Sequence, residues 1–259
     1  MRPPLVLIAA AACPCLAPAA VINIDFTAGT APQTYSGLAA AADPAGAAAY
    51  WNGVGRDGSK GHVTQGPLHD STGTQVSALL SLGLNGSFAS VNGDMEHSGA
   101  YDALMSDYLF LNSGSSGVVT TASGTLTGLL ANTSYELYFY GQGDKFTGNV
   151  FRGQNTLFTV DGISRQTSWD GVSGGDGLLV EGVEYVKFLT TTDAQGTIHF
   201  EWSNVVAGVN VAVDADGSSS RYAGFNALQI VEAPLAVPEP SSALLAALAG
   251  GLLCSRRKR

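Results

Sequence analysis

The sequence predicts an all-β protein: an antiparallel β-sandwich of jelly-roll type with one short helix, led by a signal peptide and closed by a short transmembrane helix. Three observations point there. Short runs of alternating apolar and polar residues recur along the body, with glycine, asparagine and aspartate between them. Glycine makes up 33 of 259 residues, well above its usual share of about 7%. Charged residues are only 13% of the chain, about half the globular average.

Residues 1–20 read as an export signal. Arg2 is a thin positive start, and residues 5–12 form an apolar stretch too short to span a bilayer. Ala17-Pro18-Ala19-Ala20 then offers the small residues that signal peptidase cleaves. Pro3, Pro4, Pro14 and Pro18 argue against a packed helix in their place.

Residues 21–235 form the body, a size suited to one domain with its own core. Strand runs fall at 21–26, 75–84, 124–129, 135–140, 157–160, from 163 onward, and at 185–191, 197–202, 208–213 and 225–231. Asp161-Gly162 between two of them is the strongest hairpin signal. A helix is expected over 100–111, with Tyr101, Leu104, Met105, Tyr108 and Leu109 on one face. Residues 39–49, rich in alanine, glycine and proline, read as a loop. A β-solenoid would need a fixed period of about 20–30 residues, and none is found.

Residues 236–259 hold three parts in order. Val237-Pro238-Glu239-Pro240 is stiff and extended, since proline cannot continue a helix. The apolar run 243–254 follows, rich in alanine and leucine. As a helix from Ser241 to Ser255 it would reach about 22 Å, short of a hydrocarbon core of roughly 30 Å. Arg256, Arg257, Lys258 and Arg259 then form a basic end that should stay cytoplasmic, leaving the body outside. In these three parts the tail resembles the PEP-CTERM sorting signal of bacteria. The resemblance implies an exosortase as partner, cleavage near the triplet, and delivery to the cell surface or extracellular matrix. It also implies association with exopolysaccharide and biofilm. Separately, the strand pattern is similar to galactose-binding-like jelly rolls, including the closing run Phe225-Asn226-Ala227-Leu228-Gln229-Ile230.

Charge and cysteine usage narrow the chemistry. Setting aside Arg2, Glu239 and the four terminal basics leaves 20 acidic and 7 basic residues in the body, a net charge of −13. Such a surface repels phosphate backbones and argues against nucleic-acid binding. Cys13, Cys15 and Cys254 all lie in the ends, so the body has neither disulfide nor thiol nucleophile. His62, His69, His97 and His199 match no zinc spacing. Gly114-Ser115-Ser116-Gly117 misses the nucleophile-elbow pattern by one residue. Acid pairs such as Asp94 and Glu96 are of the type a glycosidase needs, but 20 scattered acids make such pairs common.

Two constellations remain. Asp214-Ala215-Asp216-Gly217-Ser218 places two carboxylates at alternate positions before a glycine, as calcium loops do, but lacks the third acid and distal glutamate of an EF-hand, and a surface turn between strands is the favoured reading. Trp51, Trp169, Trp202 and Tyr222, with Arg221, are the residue types that stack on sugar faces and bind hydroxyls. Trp202 alternates with Phe200 and reads as core, whereas Trp51 and Trp169 sit beside Asn52-Gly53 and Asp170-Gly171 and look like loop residues, with simple packing the favoured alternative for each. Three functions stay open: a non-catalytic surface or matrix protein that binds glycan through Trp51 or Trp169, a polysaccharide-active enzyme, and a purely structural matrix protein.

Overall fold

The computed structural model describes residues 20–28, 34–55, 61–89, 99–115, 117–143, 154–168, 177–212 and 220–233. The export signal, the sorting tail, Trp169, Asp214 and Asp216 lie outside them, as do Asp94 and Glu96. Among the described residues, no helix is long and apolar enough to cross a membrane.

Fifteen strands and one α-helical turn are described: β1 (Val21–Thr27), β2 (Trp51–Gly55), β3 (His62–Gln65), β4 (Leu79–Gly83), β5 (Gly86–Ala89), α1 (Asp102–Met105), β6 (Asp107–Asn112), β7 (Thr121–Thr127) and β8 (Ser134–Tyr140) lead. Then come β9 (Gln142–Gly143), β10 (Gln154–Val160), β11 (Ile163–Gln166), β12 (Tyr185–Thr191), β13 (Ile198–Asn204), β14 (Tyr222–Phe225) and β15 (Ala227–Glu232). One sheet runs β12-β8-β15-β1-β2, a second β11-β10-β13-β7-β4-β3 with β9 beside β10, and a third β14-β6-β5. All these pairings are antiparallel except β1–β2, which is parallel with Asn23 opposite Trp51.

The first two sheets face each other as a β-sandwich. Ile22, Ile24 and Phe26 of β1, Leu137 and Phe139 of β8, and Leu228 and Ile230 of β15 point inward. They meet Leu80 and Leu82 of β4, Phe158 and Val160 of β10, and Phe200 and Trp202 of β13. Phe139 and Phe158 stack across the gap at 4.9 Å. Phe225 sits among them, its ring 4.5 Å from Phe26, 5.0 Å from Phe158 and 5.4 Å from Trp202. Trp202 is core, as the sequence predicts, and its indole N–H donates to the Gly83 carbonyl.

The outer face of the five-stranded sheet is also covered. Tyr35, Ala41 and Trp51 pack there against Leu104, Met105, Tyr138 and Tyr140. The expected loop at 39–49 is a loop, but one fastened to the sheet. Gln229 Oε1 accepts from Ala41 N and the Tyr140 hydroxyl, Gln229 Nε2 donates to Asn23 Oδ1 at 2.8 Å, and Asn23 Nδ2 donates to Asp43 Oδ2 at 2.8 Å. Asn23 of β1 and Gln229 of β15 are therefore buried with their side chains satisfied.

Three expected elements differ. The helix over 100–111 is a single turn, Asp102–Met105, after which the chain becomes strand β6. Tyr108-Leu109-Phe110-Leu111 has high strand propensity, and pairing with β5 and β14 decides the conformation against a helix with no side-chain cap. Of the strand expected at 208–213, the described residues 208–212 form a turn through Gly208 at φ +75°, closed by Asn210, whose Oδ1 accepts from Val206 N and whose Nδ2 donates to Asn204 O. The run 225–231 is broken at Asn226, all four of whose polar groups are bonded: its backbone to Phe26 and Tyr140, Oδ1 to Gln142 N, and Nδ2 to Met105 O. That residue transfers the chain from the three-stranded sheet to the five-stranded one.

Candidate functional site

The three-stranded sheet carries the cleft. In strand β6, side chains alternate, so Tyr108, Phe110 and Asn112 share one face. Register then places Phe88 of β5 opposite Tyr108, and Tyr222 of β14 opposite Asn112. These five residues, with Gln154 at the start of β10, line a cleft of about 220 Å³. Glycines make the room: Gly86 lies opposite Phe110, and any side chain there would collide with the Phe110 ring.

The rings stand at angles rather than in one stack. Phe88 and Tyr108 are 5.7 Å apart and tilted by 42°, whereas Phe110 and Tyr222 meet edge to face at 6.3 Å. Tyr222 is held from outside by Arg221, whose guanidinium lies 4.8 Å over the ring and donates to the Tyr222 hydroxyl at 2.8 Å. Asn112 is fixed by its neighbours: its backbone N–H donates to Asn85 Oδ1, and its own Oδ1 accepts from Gly114 N, both at 2.8 Å. Gln154 Nε2 lies 3.5 Å from the Tyr108 hydroxyl. The described lining is thus aromatic faces, two amides and two phenols, with no carboxylate among them.

Of the residues singled out in the sequence, Tyr222 lines this cleft with Arg221 against it, and Trp51 does not. Trp51 was expected in a loop. It lies instead in β2, 3% exposed, with its ring edge to face against Tyr35 at 5.0 Å and its N–H donating to Gly37 O. Parallel pairing with β1 draws it into the sheet, and the following Asn52-Gly53 is strand rather than turn. Its faces are covered by the chain itself. His199 lies on the exposed side of β13 with Nδ1 3.3 Å from the Thr125 hydroxyl, and His62 Nε2 is 2.9 Å from the Thr64 hydroxyl. Among the described residues, no three His, Cys, Asp or Glu side chains gather in a way that could hold a metal ion. Phe88, Tyr108, Phe110 and Gln154 were not anticipated as site residues. The period-two spacing of Tyr108, Phe110 and Asn112 is the signal that would have found three of the lining side chains.

No protein-family model and no curated protein matches the chain. Solved structures do. The plant receptor-like kinase ANX2 aligns at 11% identity and a TM-score of 0.40, over 82% of this chain and 48% of that one, so the chain spans about half of the receptor structure. A family 35 carbohydrate-binding module from Clostridium thermocellum aligns at 14% identity and a TM-score of 0.28, over 61% of this chain and 93% of the module. A further similar structure is TmCBM61 in complex with β-1,4-galactotriose, at 10% identity and a TM-score of 0.29, over 60% of this chain and 88% of that one.

Proposed function

We propose that the body is a non-catalytic, jelly-roll-like glycan-binding domain whose site is the cleft between Phe88, Tyr108, Phe110, Asn112, Gln154 and Tyr222. One observation carries this reading: a cleft sized for a sugar unit combines aromatic faces with amide and phenol groups. A pyranose presents the complement, a C–H face for the rings and hydroxyls for Asn112 and Gln154. Clefts that bind small ligands generally pair apolar walls with a few fixed polar groups in this way. Hydrolysis of a glycosidic bond uses two carboxylates, and the described lining supplies neither. The net charge of −13 favours a neutral glycan, or an acidic one bridged by calcium.

The test is a glycan array on purified full-length protein, followed by calorimetry with the best oligosaccharide. Tyr222→Ala should lower affinity about tenfold, the loss of one stacked ring, with little change in melting temperature. Trp169→Ala is run beside it, because Trp169 remains a second candidate ring. Trp51→Ala should instead lower the melting temperature, since it empties a packed site. Binding that survives unchanged in the Tyr222 variant removes the cleft as the site.

The same reading includes export and sorting. The order of Pro238-Glu239-Pro240, apolar run and Arg256-Arg257-Lys258-Arg259 supports recognition by an exosortase, with transient anchoring in the membrane and release to the surface or matrix. In a host with a cognate exosortase, the triple variant Pro238→Ala, Glu239→Ala, Pro240→Ala should stay unprocessed in the membrane fraction. Equal processing of variant and wild type would exclude this route.

A further inference from the structure

The end of β1 buries carboxyl and hydroxyl oxygens that have no cationic partner among the described residues. Asn23, Asp25 and Thr27 alternate on the outer face of the strand. Asn23 is bonded to Asp43 and Gln229, but its two successors are not so well supplied. Asp25 is 0% exposed; its Oδ2 accepts the Tyr35 N–H at 2.7 Å, and its Oδ1 has no partner. Thr27 is likewise 0% exposed, and its Oγ1 has no partner. The next residue, Ala28, donates its N–H at 3.1 Å to Oδ2 of Asp107, the first residue of β6. Asp107 Oδ1 is again buried and unpartnered. Three orphan oxygens therefore lie on two elements that meet at the Ala28–Asp107 hydrogen bond.

The electrostatics agree. Burial, helped by the nearby Asp107 charge and opposed by the Tyr35 N–H, pushes the Asp25 carboxyl up to about 8. Burial likewise raises Asp107 to about 6. Among the described residues, no lysine or arginine acts on either group. A buried carboxylate without a cation is costly, and such groups are normally paired or bound to a metal.

We propose that Asp25, Thr27 and Asp107 form a binding site for a hard divalent cation, calcium, that joins the end of β1 to the start of β6. Two carboxylates and a hydroxyl are oxygen donors throughout, the set that suits calcium and not zinc or copper. One divalent ion would neutralise both carboxylates and occupy all three orphan oxygens, with waters completing its shell. In a body without cysteine, it would act as a crosslink between two sheets. This site is independent of the glycan cleft and of Asp214 and Asp216.

The experiment removes the second candidate first. Full-length protein carrying Asp214→Asn and Asp216→Asn is stripped with chelator, then titrated with calcium by calorimetry and melted with and without the ion. About one equivalent of calcium should bind and raise the melting temperature by several degrees. Adding Asp25→Asn or Asp107→Asn should abolish both effects. If Asp25→Asn fails to fold, Thr27→Val decides, with affinity about tenfold weaker expected. No calcium uptake by the parent, or uptake unchanged in the Asp25, Asp107 or Thr27 variants, overturns the proposal and leaves a protonated Asp25 in its place.

Discussion

Phe225→Ala should destabilise the domain by about 3–5 kcal/mol, a large share of the 5–15 kcal/mol that holds a typical domain together. Phe225 is 0% exposed and its ring contacts those of Phe26, Phe139, Phe158, Phe200 and Trp202. Those five side chains come from β1, β8, β10 and β13, so truncation opens a void where both large sheets meet the third. The surrounding strands are fixed by pairing on both sides and can close that void only in part. Urea denaturation should show a lower midpoint at unchanged slope. Leu189→Ala is the control: at 67% exposure it should change stability by no more than about 0.5 kcal/mol. A loss below about 1 kcal/mol for Phe225→Ala would mean the aromatic cluster is not the centre of the core.

The second large effect is expected one residue earlier. A Cβ on Gly224 would lie 2.7 Å from the Gly143 nitrogen and 2.8 Å from the Gln142 carbonyl carbon. Both are backbone atoms of β9, which cannot swing aside as a flexible side chain would. Gly224 O also accepts a hydrogen bond from the Thr156 hydroxyl at 2.5 Å, so β14 is held from a second side. Gly224→Ala should therefore cost about 1–3 kcal/mol or more through overpacking. It should also weaken glycan binding, because it displaces the strand that carries Tyr222. Gly162→Ala provides the contrast. Gly162 has φ +75° but open space around its Cβ position, so only backbone strain of about 1 kcal/mol is expected, with binding unaffected. Thermal melts and calorimetry on both variants separate the two cases.

Local chemistry made a good part of the sandwich legible. Strand β12 begins and ends where alternation predicts, and the turn before β11 has Asp161 at φ 52° and Gly162 at φ 75°, as a tight hairpin requires. Elements settled by distant partners were not legible. Tyr101, Leu104, Met105, Tyr108 and Leu109 suit a helical face, yet the last two are buried in a strand because β5 and β14 pair with it. Trp51 is drawn into β2 by parallel pairing with a strand nearly thirty residues away in the chain, a contact that its own neighbours do not announce. Strand β1 is buried on both faces, so its polar residues look solvent-facing in sequence and are not. The cleft divides in the same way. Tyr222 and Arg221 have the composition of a sugar site, but their partners arrive through a register that sets Tyr222 opposite Asn112.

The pairing of β1 with β15 has a mechanical consequence. Val21 lies opposite Val231, and Glu232 N–H donates to Ala20 O at 2.9 Å, so chain entering and chain leaving the body do so at one corner of the sheet. The cleft lies beyond the other end of β15, a strand of six residues, roughly 20 Å away. A tether at that corner would hold the cleft outward, toward whatever polymer surrounds it. Tension between tether and bound polymer would run along β15, against its hydrogen bonds to both β1 and β8 at once. Those bonds must then slide together instead of opening singly, the arrangement of two strands that best resists a steady pull.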